Sequence, residues 1–445
     1  MTFNLKKIVL FGLIGFLFPL NIFSQDTLHI NLSKALEIGL SESPTINIAE
    51  RSILIKKYYK KEQIVALFPD VSLSGSYNRT LKKQVMAMEF GGQVTEIAIG
   101  TDNNWGGGIS LYLPLVVPAL WNNVKLSQLD IEMALESARS SKISLISQIK
   151  KAYYSHLLAK ESYRVLQLNY MNVELNNKLV NNKYAQGLAS EFEKLRSDVQ
   201  LKNQKPNLTA AENAVNLTSM MIKVLMGVDV NTPIVFEGTL TEYEDIMKAQ
   251  STAPVADSTL LANNSSLVQM DLSIRQLEQT KKLITSSACP SLVLSGNYQY
   301  SAMNNNFKFS EYNWFPYAVV GLSLKVPIIN WVGTSYKLKQ TKLTVENIKD
   351  QKSILEQNLM VSYNSNIDNI NKALEDLTSN KENVAQAERA YEISKKQYEV
   401  GMCTWLDLNS AELALTSTRL QYNQSIYDYI SAYAQLEELL GKNEK

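Results

Sequence analysis

The chain has 445 residues, 45% hydrophobic and 20% charged, with 44 Lys and Arg against 43 Asp and Glu. That balance gives no case for nucleic-acid binding, for which a clustered basic face would be expected. Two cysteines, Cys289 and Cys403, and two histidines, His29 and His156, leave little material for a metal centre or for histidine-based acid–base chemistry.

At the start, Lys6 and Lys7 precede an apolar run from Ile8 to Leu20, and Ser24 and Gln25 follow it at a small-residue cleavage point. A basic n-region, a short h-region and such a site make residues 1–25 a secretory signal peptide. The run falls short of the roughly 20 apolar residues that a membrane-spanning helix needs. Its removal takes two of the 44 basic residues and leaves 42 against 43 acids. Neither cysteine lies just after the h-region, so no lipoprotein anchor is indicated. No later segment is long and apolar enough for a transmembrane helix. The exported chain is therefore soluble, or it spans a membrane as strands.

Next along the chain, residues 71–77 set Val71, Leu73, Gly75 and Tyr77 against Ser72, Ser74 and Ser76, and residues 109–115 set Ile109, Leu111, Leu113 and Leu115 against Ser110, Tyr112 and Pro114. Period-two alternation predicts strands with one apolar and one polar face. A bacterial transmembrane strand has this form over about 9–11 residues. The Gly91- and Gly92-containing connection, 82–104, is expected to be a poorly constrained outer loop. A helical stretch then runs from Trp121 to Gly187, with Ile149, His156, Tyr163, Tyr170, Asn177 and Tyr184 every seventh residue. It returns through Leu201, Leu208, Val215 and Ile222, with Pro206 expected to kink or break the return.

Residues 228–259 hold Pro233, Gly238, Pro254 and the run Ile234-Val235-Phe236, and are expected to be a connector with one short strand. A second strand pair follows. Leu292, Leu294, Gly296, Tyr298 and Tyr300 alternate with polar neighbours, and Val320, Leu322, Leu324 and Val326 face away from Val319, Gly321, Ser323 and Lys325. Residues 301–313 form its outer loop. Tyr363, Ile370, Leu377, Val384, Tyr391 and Tyr398 then mark one helix, and Leu408, Leu415, Tyr422, Tyr429 and Leu436 mark another beyond Gly401. A sustained seven-residue beat predicts helices coiled against neighbours.

These segments are two copies of one pattern. Phe68-Pro69 through Gly75-Ser76-Tyr77 recurs as Cys289-Pro290 through Gly296-Asn297-Tyr298, Tyr184-Ala185-Gln186-Gly187 as Tyr398-Glu399-Val400-Gly401, and Leu225-Met226-Gly227 as Leu439-Leu440-Gly441. The expected organisation is a signal peptide over 1–25, a first repeat over 26–227, a connector over 228–259 and a second repeat over 260–445. Four strands cannot close a membrane barrel, whose smallest form has about eight. Open edges are not tolerated in lipid. Oligomerisation is required, with two copies giving eight strands or three giving twelve.

Leu32-Ser33-Lys34-Ala35-Leu36-Glu37, leading to Glu42-Ser43-Pro44, resembles the opening helix of the TolC-type outer membrane efflux proteins. The Phe68-Pro69 strand entry, the Pro114 and Pro327 strand exits and the Tyr398 to Gly401 turn resemble that family too, and the likeness covers nearly all of residues 28–441. It implies an α+β membrane protein and a homotrimer. Each chain would give four strands to a twelve-stranded outer-membrane β-barrel, continued by an antiparallel coiled-coil tunnel through the periplasm. The implied partners are a periplasmic adaptor, an inner-membrane pump and outer-membrane lipid. No cofactor is implied.

Carried across residue by residue, the likeness puts Asp407 at a lumen-facing acidic constriction, with Glu193 at the equivalent place in the first copy. The next family acid falls on Ser410, where this chain departs from the pattern. The turns Gln186-Gly187-Leu188 and Val400-Gly401-Met402 fall where adaptor tips engage. Lys325 falls on the barrel's lumen side. The dull alternatives are a helix-start acid for Asp407, turn backbone for the glycines, a strand-end charge for Lys325 and packing for His156, Met402 and Cys403. Small-molecule efflux is the default cargo reading, with protein or peptide secretion as the alternative. A surface coiled-coil adhesin would normally keep its strands at one end of the chain. A periplasmic enzyme would need a nucleophile–base pair, a metal cluster or a phosphate loop, and none stands out.

Overall fold

The computed structural model describes residues 28–90, 92–244 and 261–442. The expected signal peptide, Gly91 and the 245–259 part of the connector lie outside them. The chain enters at β1 (Leu28–Ile30), and Asn31 caps α1 (Leu32–Glu42) by accepting from the Lys34 amide. Pro44 opens α2 (Pro44–Val65), a position whose N–H needs no helical partner.

The alternating segments form β2 (Asp70–Arg79), β5 (Asn103–Val116), β7 (Ser291–Asn304) and β8 (Trp314–Lys325), which make one antiparallel sheet in the order β2-β5-β7-β8. One face is largely apolar across all four strands, whereas the other is mostly polar or small in β2, β5 and β7 and carries Phe315 and Val319 in β8. Leu73, Ile109, Tyr298 and Ala318 share one row, and Val71, Leu111, Gly296 and Val320 the next. On the opposite face, Ser72, Ser110, Asn297 and Val319 share a row, as do Ser76, Gly106, Ser301 and Phe315. Pro114, which cannot donate to the ladder, sits at a register shift between it and Val116. β2 and β8 are the free margins, each with no second strand among the described residues.

The strands run beyond the expected spans, and residues 82–104 differ from expectation. Instead of an irregular loop they contain a hairpin, β3 (Gln84–Phe90) paired with β4 (Gln93–Ile99). Met86 opposite Ile97 puts apolar side chains on one face, the cross-strand contact on which a short ribbon depends.

Four long helices carry the rest. α3 (Pro118–Ala185) has 68 residues and α6 (Asn330–Glu399) has 70, each folding back into a shorter partner, α4 (Glu191–Met226) and α7 (Trp405–Leu439). At 1.5 Å per residue the longer pair spans roughly 100 Å. α5 (Ser265–Ser286) packs on α3 and α6. α4 continues through Pro206 without a break. Pro206 is exposed there, so water can serve the carbonyl that its missing N–H leaves free.

The seven-residue seam is buried in α6 and α7, at Tyr363, Ile370, Leu377, Tyr391, Tyr398, Leu408, Leu415, Tyr429 and Leu436. In α3 it begins at Ile149 and His156 and then moves to Val165, Val173 and Val180, leaving Tyr184 exposed. A straight helix drifts about 20° per heptad, and α3 packs on both α4 and α7. His156 is a packing residue. It lies 3.0 Å from the Thr218 hydroxyl and edge-on to Phe236, and burial holds its pKa down at about 4.

The main core is a belt around the helices where β1 pairs in parallel with β6 (Ile234–Phe236). Ile30, Ile149, Tyr153, Leu157, Ile222, Met226, Phe236, Ile426 and Tyr429 are buried there. The Tyr153 hydroxyl donates to the Glu237 carbonyl beside Ile30. Gly227 ends α4 in the left-handed region at φ 75, and a Cβ on it would lie 2.7 Å from the Glu42 carbonyl oxygen. Gly227→Ala therefore combines backbone strain with a backbone clash. Its expected cost is about 2 kcal/mol or more, read as a lowered thermal unfolding midpoint, against about 1 kcal/mol for the strain alone.

Candidate functional site

The far ends of the two helical hairpins lie side by side. Gln186 closes α3, and Gly187 turns the chain at φ 74. Val400 closes α6, and Gly401 turns it at φ 78. A Cβ would meet nothing within 4 Å at either glycine, so each serves turn geometry and not close packing. The apolar side chains on these turns are uncovered: Leu188 is 71% exposed, Val400 69% and Met402 80%.

Between the tips, Val180 of α3 packs with Tyr391, Tyr398, Trp405, Leu408 and Leu415. The Lys183 ammonium donates to the Tyr398 carbonyl and sits 4.2 Å from the centre of its ring. Burial, and then the nearby Glu193 carboxylate, push the Tyr398 hydroxyl up to about 12. Arg196 of α4 lies over the rings of Phe192 and Trp405, 5.5 Å and 5.7 Å from their centroids. Each contact from Lys183 or Arg196 to a ring of the second hairpin ties one hairpin to the other.

Asp407 occupies the third position of α7. Its carboxylate accepts from the Thr404 amide at 2.9 Å and the Thr404 hydroxyl at 2.6 Å, while the Asp407 amide donates to that hydroxyl at 3.2 Å. This is a reciprocal capping box. The two Thr404 donors hold the Asp407 carboxyl below the usual carboxylate range. Glu193 stands at the same position of α4, its amide donating to Ser190 at 3.2 Å. The capping box accounts for the place of Asp407 and leaves its carboxylate solvent-facing at the tip, whereas at Glu193 only the backbone amide takes part in the cap.

Lys325 is the last residue of β8, exposed and opposite Ser291, at the end of the sheet nearest the helices. Cys289 and Cys403 are both free, and the Cys403 thiol donates to the Ser394 carbonyl. The described residues contain no group of three or more His, Cys, Asp or Glu side chains able to hold a metal, and none of their helices is long and apolar enough to cross a membrane. Lys183, Asn176 and Glu412 join the site without any motif in the sequence to mark them. The last lies seven residues beyond Trp405, on a stripe that the fold buries.

A two-faced antiparallel sheet leading into paired helices of this length is the architecture of outer-membrane channel proteins. The chain belongs to the outer membrane efflux protein family, whose model matches residues 40–228 and 257–442. It is 20% identical over 380 residues to the outer membrane protein TolC of Vibrio cholerae, covering 84% of this chain and 82% of that protein. It is 22% identical over 313 residues to the pyoverdine export outer membrane protein OpmQ of Pseudomonas aeruginosa, covering 66% and 64%. The solved outer-membrane channel OprN shares the fold at a TM-score of 0.73 and 16% identity, over 92% of this chain and 89% of that one. CusC does so at 0.74 and 13%, over 93% of each. The protein resides in the outer membrane.

The capping geometry makes a local prediction. Thr404→Ala removes one cap and leaves the helix to fray. Amide exchange in the first turn of α7 should quicken about fivefold, the equivalent of about 1 kcal/mol, with the belt core unaffected.

Proposed function

We propose that this chain is one subunit of a passive trimeric duct for small-molecule efflux. Three four-stranded sheets would close a twelve-stranded barrel in the outer membrane, and three sets of paired helices would continue it through the periplasm. The observation that carries this reading is the sheet itself, with one continuous apolar face and two unpaired margins, joined to the long hairpins. Strands of 10 to 14 residues are long enough to cross hydrocarbon at the usual tilt. Tyr77, Trp105 and Trp314 lie toward one end of the apolar face, where interfacial aromatics anchor a barrel.

The serine-, asparagine- and glycine-rich face would then line water, with Lys325 at the inner rim of the lumen. The two halves would be tandem copies of one strand-pair-and-hairpin unit. No catalytic step is assigned, and the energy would come from an inner-membrane pump reached through an adaptor. Leu188, Val400 and Met402 offer that adaptor an apolar foothold, flanked by the turns at Gln186, Gly187 and Gly401. Three copies of Asp407, with Glu193 behind, would favour cations at a narrow entrance. Export of peptides or proteins is the second reading; a relative named toxin and drug export protein A, 26% identical over 219 residues and 44% of this chain, has both kinds of cargo in its name.

A photoreactive residue at position 402 tests the assembly in cells. Capture of an adaptor together with a proton-driven pump supports small-molecule efflux, and capture with an ATP-driven exporter supports secretion. Failure to capture any adaptor sinks the tip assignment. In planar bilayers, Asp407→Asn should lower the cation-over-anion permeability ratio severalfold. An unchanged ratio would leave Asp407 a helix cap and nothing more.

A further inference from the structure

Glu412 sits on α7, on the same stripe as Trp405, Leu408 and Leu415, and is 4% exposed. Its Oε2 accepts from the Asn176 side-chain amide of α3 at 3.0 Å, while its Oε1 has no hydrogen-bond partner among the described residues. The same Asn176 amide reaches the Tyr391 hydroxyl of α6 at 3.4 Å. Three helices thus converge on one carboxyl group, less than two turns from Asp407.

A carboxylate out of water with a single neutral donor is strongly disfavoured, and the group escapes the penalty by holding a proton. α3 and α6 are the elements packed on this part of α7. α3 presents Asn176, which has no charge. α6 presents Tyr391, whose phenol is kept neutral by burial, with Glu392 beyond it, and Lys395, which acts on Glu412 only at longer range. Burial dominates, and the Glu412 carboxyl is pushed up to about 7, with Asn176 and Lys395 pulling weakly the other way.

We propose that Glu412 is a proton-operated latch between the two helical hairpins. With the proton on Oε1, α7 stays packed on α3. When that proton passes to solvent, the carboxylate leaves for water and α7 separates from α3. No other bond changes. The latch rests on the proposed duct only for its link to conduction, and not for its effect on packing.

The closed packing binds the proton more tightly than a water-exposed Glu412 does, so closure is fully favoured below pH 4.5 and loses ground as pH rises to about 7. Over pH 5 to 8 the open-to-closed ratio should rise on the order of tens of fold.

Spin labels on Cys substituted for the exposed Lys178 of α3 and Ala414 of α7, in a full-length assembly with Cys289 and Cys403 replaced by Ser and held in lipid nanodiscs, read the separation directly. Infrared difference spectra read the protonated carboxyl. The expected result is a label distance that lengthens from pH 5 to pH 8 together with loss of a carboxylic-acid band. Glu412→Gln should abolish both changes and stay closed. Asn176→Leu, which deletes the donor, should move the midpoint upward and covers the case in which the glutamine variant does not assemble. A protonated band absent at pH 5, or the same distance change in Glu412→Gln, would overturn the latch. If the labels move while conductance stays flat, the latch stands and the duct's gate lies elsewhere.

Discussion

Backbone amides and carbonyls along the free margins of β2 and β8 must find hydrogen-bond partners if the sheet lies in hydrocarbon, because no water is there to serve them. The proposed assembly follows from that demand. A sheet of four strands cannot satisfy it alone, and in the proposed assembly another copy would present the complementary margin. The helices would inherit the resulting ring, because α3 follows β5 and α6 follows β8 within a few residues. A requirement of the lipid phase thus reaches a part of the molecule that the lipid never touches.

Far from the sheet, the hairpins are held in register by polar pairs inside the coil. Asn169 donates to Gln204 and accepts from Thr416, which ties α3 to α4 and to α7. One heptad on, Asn176 meets Glu412, and its neighbour Asn177 donates to Ser197 and Asp198. Buried polar partners add little net stability, yet a slip of one turn would orphan every one of them, so they select a single alignment. Apolar packing brings these helices together, and the asparagines decide where along their length they meet.

Much of this was legible in the sequence because its two periods are so different. Val71, Leu73 and Tyr77 can share a face only in a strand, and Tyr363, Ile370 and Leu377 only on a helix. What escaped was short or shared. β6 was expected as a short strand, but its three-residue partner β1 was not, and no pattern of three identifies a partner two hundred positions away. The β3–β4 hairpin was hidden by its glycine-containing turn and its methionines, which resemble a loop. The capping motifs Ser190-x-x-Glu193 and Thr404-x-x-Asp407 were visible as strings, but lumen acid and helix cap require the same residue at the same place. Glu412 escaped because charge normally marks a solvated face, and only the neighbours of Trp405 in three dimensions show otherwise.

The belt also bears on how the molecule is made. Its core joins Ile30 to Phe236, and both to Ile426, Leu436 and Leu440, so residues from opposite ends of the chain complete one another. The first hairpin can pack on itself as it emerges, but the belt stays incomplete until Ile426, Leu436 and Leu440 arrive. A truncation that removes α7 would leave this centre open and mark the product for proteolysis, however sound the strands at the other end.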